Sequence, residues 1–227
     1  IQGANEISFF FAEGIGGDTS SFVQEIMQGI DKRHEGIEMG VEGQIFPSFK
    51  LRGAAAAGRY TYDNNPNVYL TSDDFGYLDF GTAKMKNIRL SSGPQQAYSF
   101  GFEFRENYWW FGMTANYFDN TYLDVSPINR TQNFLLDRDG LPFSNYDPEQ
   151  ARELLQQEKF EPYTVVNMVL GKSWRLGSNF MGVFLSVNNL LGETYKTGGF
   201  EQSRNANYNE LLEEVNGAKR RFGPKYW

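Results

Sequence analysis

The sequence contains no cysteine and a single histidine, His34. Without cysteine there is no disulfide, no thiolate nucleophile and no Cys-ligated metal. The one imidazole, set among Lys32, Arg33 and Glu35, leaves no histidine cluster for zinc. Long hydrophobic runs are missing as well: nothing approaches the roughly 18 apolar residues of a membrane helix, and the mean hydropathy is -0.53. This excludes a helical membrane protein but not a β-barrel, whose strands alternate lipid-facing and lumen-facing residues and so never look hydrophobic in a sliding window. Positive charge is in deficit, with 21 Lys and Arg against 28 Asp and Glu and a net charge of -7. That is the wrong sign for a phosphate backbone, so no nucleic-acid partner is expected. No Gly-x-x-x-x-Gly-Lys precedes a helix, which removes the phosphate loop. The opening residues, IQGANEISFFFAEG, lack the three regions of a signal peptide. The expectation is a fragment that starts just before a strand, with any export signal lying upstream.

What the sequence does have is aromatic residues, 16% of the chain as 20 Phe, 13 Tyr and 4 Trp, together with 24 Gly. Interfacial girdles of outer-membrane barrels use such residues, and glycine relieves crowding in tilted strands; an aromatic-rich soluble sandwich would share the composition. The order of residues separates the two. From Ala97 to Phe104, Tyr98, Phe100, Phe102 and Phe104 share one face; from Trp109 to Phe118, Trp109, Phe111, Met113, Ala115 and Tyr117 share another. Only Arg105 to Tyr108 separates these two strands, which predicts a hairpin. The same alternation runs through Phe180 to Asn188 and Gly36 to Ile45. Tyr163 to Trp174 and Leu51 to Tyr62 are strand-like, the second with a register left open by Ala54 to Ala57, and Ile7, Phe9 and Phe11 mark one more.

Short links at Phe46 to Phe49, Arg105 to Tyr108 and Arg175 to Ser178 alternate with connections of roughly 20 to 40 residues, the asymmetry of periplasmic turns and extracellular loops. The expected fold is therefore all-β: an antiparallel transmembrane β-barrel segment of about seven strands. One helix is predicted inside the long loop, with Asp147 as N-cap, Pro148 in the first turn and EQARELLQQE following.

No residue pattern calls for catalysis, a metal or a cofactor, and the protein is not expected to be an enzyme. Asp73 with Asp74, and Glu213 with Glu214, are adjacent without placed partners. The stretch Asp63 to Asp74 is rich in oxygen ligands but lacks the spacing of an EF-hand loop. Asn129-Arg130-Thr131 fits a glycosylation sequon, which carries no weight in a bacterial protein. The candidate ligand-contacting residues are the polar, lumen-facing positions Glu38, Glu42, Glu103, Asn116 and Asn188. Simple wetting of a water-filled interior would place the same residue types there.

Several segments together resemble a known family: GIDKRHEGIEMGVEGQ (Gly29 to Gln44), YTYDNNPNVYL (Tyr60 to Leu70), YWWFGMTANYFDNTYLDVSPINRTQNF (Tyr108 to Phe134), LLQQEKF (Leu154 to Phe160), GKSW (Gly171 to Trp174), VNNLLGETYKTGGFEQSRNANY (Val187 to Tyr208) and FGPKYW (Phe222 to Trp227). In these the chain is similar, over nearly its whole length, to the C-terminal barrel region of TonB-dependent receptors, of the Bacteroidota type with an N-terminal carboxypeptidase-regulatory-like domain. The resemblance implies a barrel of about 22 strands around a plug, in the bacterial outer membrane with its loops extracellular. It implies TonB-driven uptake of a ligand too large or scarce for porins. The partners implied are outer-membrane lipid, TonB through an N-terminal region this chain does not contain, and a surface lipoprotein or other envelope proteins. The plug and the last strand are expected to lie outside these 227 residues. Two other functions compete: a barrel serving as a structural or assembly subunit of an outer-membrane complex, and a soluble carbohydrate-binding or hydrolytic sandwich. The last needs carboxylates on facing strands, whereas Glu38 and Glu42 share one strand.

Overall fold

The computed structural model describes residues 2–12, 21–74, 76–137, 139–201 and 203–216; the FGPKYW segment lies outside them. Among the described residues ten strands form: β1 (Ala4–Ala12), β2 (Ser21–Ile30), β3 (Lys32–Phe46), β4 (Phe49–Tyr62), β5 (Asn67–Ser72), β6 (Gly76–Thr82), β7 (Gln96–Glu106), β8 (Trp109–Asp119), β9 (Tyr163–Leu176) and β10 (Asn179–Val187). They make a six-stranded sheet, in the order β10-β9-β8-β7-β4-β3, and a four-stranded sheet, β1-β2-β5-β6. Every pairing is antiparallel. The protein is all-β, with helices α1 (Pro148–Leu154) and α2 (Tyr208–Asn216) confined to the long connections.

The three hairpins predicted from short links are present, and their turns lie at one end of the six-stranded sheet. At the β7–β8 turn Asn107 and Tyr108 both have positive φ, 50° and 63°, the backbone of a two-residue turn whose twist matches that of its strands. Three further strands, β2, β5 and β6, escape a search for alternation. In β2 the reason is clear: Phe22 and Ile26 on one face oppose Val23 and Met27 on the other, so both faces are apolar and period two disappears. β10 ends at Val187, which leaves Asn188 just beyond the strand.

The two sheets are stretches of one wall. β2 runs into β3 through Asp31, and β4 reaches β5 through a short link that is fastened to that junction. Asp63 N–H donates to Asp31 O at 2.7 Å, Asp31 N–H donates to Asn64 Oδ1 at 2.9 Å, and Asn64 Nδ2 donates to Gly29 O at 2.6 Å. Gly29, at φ 71°, lies where the β1–β2 register slips between Ala4 and Glu6. A left-handed glycine at such a bulge lets the strand change parity, so Val23, Glu25 and Met27 of β2 share a side with Ile30. Among the described residues, strand contacts of any extent join hydrogen-bonded neighbours, the sheets do not stack as the layers of a sandwich, and the six-stranded sheet does not close on itself.

Register carries the alternation of single strands across the wall. Met39 pairs with Ala55, Ala55 with Tyr98 and Tyr98 with Tyr117; lower down, Phe102 pairs with Met113, and Met113 with Met168. One face of the six-stranded sheet is thereby apolar and open, with Met39 62%, Val41 73%, Phe100 57% and Val183 61% exposed, apart from Lys172 near the short turns, which lies over the Trp109 ring and donates to Asn107 O. Register also settles the alanine run: Ala55 and Ala57 lie on the apolar face, Ala54 and Ala56 on the other.

The buried core is at the loop end. Val23, Ile30, Val68, Leu70, Met85 and Ile128 form its centre, and a smaller cluster surrounds Tyr208 with Phe134 and Ala151. The long connections are thus a folded cap with a hydrophobic interior of its own, which places most apolar burial away from the six-stranded sheet.

Candidate functional site

The face opposite the apolar one is polar, and charge concentrates near the short turns. Glu42 on β3 lies opposite Arg52 on β4, which neighbours Gly101 on β7. Lys50 Nζ donates to Glu42 Oε1 at 2.9 Å and Arg52 Nε to Glu42 Oε2 at 2.8 Å; Arg52 Nη2 reaches Glu103 Oε2 at 3.1 Å. Arg105 pairs with the other oxygen of Glu103. Three cations and two carboxylates therefore form a ladder across three strands, beside a shallow depression of about 320 Å³ lined by Gln44, Lys50, Arg52 and Arg105. Such exposed pairs contribute little to stability; their effect is to fix a patterned charged surface.

The candidate residues divide on this face. Glu42 and Glu103 are brought together through Arg52. Glu38 and Asn116 lie nearer the loop end, where both line a second depression of about 430 Å³ floored by Gly40, Ala54, Ala56, Ala97 and Ser99. There Ser99 Oγ donates to Asn116 Oδ1 at 2.8 Å. Asn188 is apart from all of them, past the end of β10. Sequence reasoning missed the cations Lys50, Arg52 and Arg105: counting back from the Phe46–Phe49 turn sets Arg52 against Gly43, and the register shift between Gln44 and Phe46 is what brings it opposite Glu42. It also missed the aromatic group where the polar face meets the cap: Tyr163 stacks on Tyr195 at 4.0 Å with planes 6° apart, and Phe118 lies 5.1 Å from Tyr163.

The cap is held by buried and half-buried polar side chains that take the place of strand partners. Gln95 accepts from Tyr60 N–H and donates to Tyr60 O and Leu90 O. Gln157 accepts from Arg89 N–H and donates to Arg89 O and Leu123 O. Arg130 is clamped by Glu201, Nη1 to Oε2 and Nη2 to Oε1, each at 2.8 Å, and also donates to Ser126 O and Leu155 O. Arg204 reaches Glu25 Oε1 at 3.0 Å and Ser8 Oγ donates to the same oxygen at 2.9 Å. Burial pushes the Glu25 carboxyl above its ordinary range, with Arg204 and Ser8 opposing only in part. Asp124, which accepts from Ser91 Oγ, is raised for the same reason, and burial also raises the Tyr62 phenol.

No group of three or more His, Cys, Asp or Glu among the described residues is placed to hold a metal ion. No helix among them is long and apolar enough to cross a membrane, which says nothing of a chain that crosses with strands. No family model, no curated protein and no solved structure matches the chain.

Proposed function

We propose that this chain is part of the wall of an outer-membrane β-barrel, and that the barrel is a TonB-dependent receptor that takes up a ligand too large or scarce for porins. One observation carries the membrane assignment: an apolar, open face runs the width of a six-stranded antiparallel sheet and is bordered by aromatic residues at both ends. Trp109 and Trp174 lie toward the short turns, and Tyr98 and Tyr117, 6.1 Å apart, toward the cap. In water a face of this extent would aggregate; in a bilayer it is the lipid-facing band between two girdles. Among the described residues β3 and β10 have no strand paired on their outer edges, and unpaired backbone is untenable in lipid, so in this reading further strands complete the barrel. The receptor assignment rests on the family resemblance, and the charged ladder and the Tyr163–Tyr195 platform then line the interior.

Uptake by cells provides the test. Accumulation of the ligand should fall to background when TonB or the plug is deleted, with the protein still in the detergent-extracted outer membrane. Undiminished uptake, together with stable co-purification of other envelope proteins, would point to an assembly subunit instead.

A further inference from the structure

Where the apolar face of the six-stranded sheet meets the short turns, one row holds two opposite charges that do not touch. Glu106, at the end of β7, lies opposite Trp109 on β8, and Trp109 lies opposite Lys172 on β9. Lys172 Nζ sits 4.8 Å from the centre of the Trp109 ring and donates to Asn107 O at 2.7 Å. Glu106 is exposed, and among the described residues neither it nor Lys172 forms an ion pair. Charges on the opposite face behave differently: Glu42, Lys50, Arg52 and Glu103 bond to one another across adjacent strands. Here an indole, 47% exposed, stands between the carboxylate and the ammonium. The row immediately above is wholly apolar, made of Phe49, Phe104, Phe111, Leu170 and Leu185.

We propose that Glu106, Trp109 and Lys172 bind the headgroup of a zwitterionic phospholipid of the phosphoethanolamine class, drawn from the leaflet that meets the short turns. The proposal rests on the barrel reading above, in which this face is in lipid and the short turns are periplasmic. A lysine whose stem lies along apolar side chains brings its ammonium to headgroup depth, where phosphate is the anion at hand. A phosphate alone would answer Lys172 and leave Glu106 facing an anionic surface. A headgroup that also carries a primary ammonium answers both. Glu106 and Lys172 are two strand spacings apart, roughly 10 Å at the backbone. Hydrogen bonds of about 2.8 Å at each end leave the length of a phosphate and an ammonium joined by two carbons, lying across the indole. The acyl chains then run along Phe104, Phe111 and Leu170 in the row above, so one lipid satisfies the charges and covers the apolar surface beside them.

The test uses the full-length protein, extracted in detergent, stripped of bound lipid and offered equal amounts of phosphatidylethanolamine and phosphatidylglycerol with the same acyl chains. Native mass spectrometry counts the molecules of each that stay bound. The wild type should favour the ethanolamine lipid by roughly fivefold, the effect of one charged contact at a membrane surface. Glu106→Gln should remove that preference. Lys172→Met should reduce retention of both lipids by a similar factor, whereas Lys172→Arg should keep the wild-type pattern. The heat-dependent gel shift of a folded barrel should persist in all three variants, which separates loss of lipid from loss of fold. Equal retention of the two lipids by the wild type, a preference that survives Glu106→Gln, or retention indifferent to Lys172→Met would each overturn the site. A protein recovered from aqueous buffer without detergent would overturn the barrel reading itself, whereas a detergent-extracted protein with no lipid preference would defeat only the headgroup site.

Discussion

Arg130 shows how much one side chain does in the cap. It is buried, makes a two-point contact with Glu201 and caps two further carbonyls, so it joins three stretches of loop that share no strand. Lysine keeps the charge but cannot reproduce the fork, and a buried pair broken on one side is costly. Arg130→Lys should lower the free energy of local opening by about 3 kcal/mol for residues 122–136 and 199–204, read by hydrogen exchange; a change below about 0.5 kcal/mol would refute the clamp. On the sheet, the indole of Trp110 lies over Gly171, where an added Cβ would fall inside the ring. Gly171→Ala should therefore cost about 1–3 kcal/mol through the displaced indole, seen as a lower temperature for the gel shift. The same change in a Trp110→Ala background should cost much less. Equal penalties in both backgrounds would mean that the indole is not what fills the space.

At the scale of elements, the cap should respond to pH. Glu25 on β2 and Asp124 in the long connection after β8 are raised above their ordinary values by burial. Opening the cap restores the ordinary values, so between those and the raised ones the closed form holds protons that the open form releases. Its stability then falls as pH rises through the raised values. After correction for intrinsic exchange, amides of β2 should be better protected at pH 5 than at pH 8; protection that is flat or rises with pH would contradict this. The elements also show what sequence could give. Strands with one apolar and one polar face, β7 and β8 above all, were legible from alternation, and α1 from Asp147, whose side chain does accept from Glu149 N–H. β2 was hidden because the cap covers its inner face, and α2 because its anchor, Tyr208, finds Phe134 and Tyr146 only once two distant loops meet. Of the candidate residues, the joining of Glu42 to Glu103 required the β4–β7 pairing, a long-range register that no local pattern encodes.

At the scale of the whole molecule, the proposal depends on which side of the wall meets lipid, and adjacent residues on one strand decide it. Glu38 and Met39 are both exposed, have the same secondary structure and differ only in face. If the wall is lipid-facing on the Met39 side, Met39→Arg places a charge in the bilayer at a cost of roughly 2–4 kcal/mol near its midplane. Phe100→Arg, two strands away on the same face, should behave alike. Glu38→Arg projects into a wet interior, where a charge already resides, and should assemble almost as the wild type does. The expected pattern is a loss of folded protein from the outer membrane for Met39→Arg and Phe100→Arg and near-normal levels for Glu38→Arg. Equal tolerance at all three positions would mean that neither face is in lipid, because water on both sides treats an added arginine alike. Sensitivity at Glu38 with tolerance at Met39 would turn the wall inside out and bring the charged ladder of Glu42, Arg52 and Glu103 into the hydrocarbon, an arrangement that desolvation of five charges forbids.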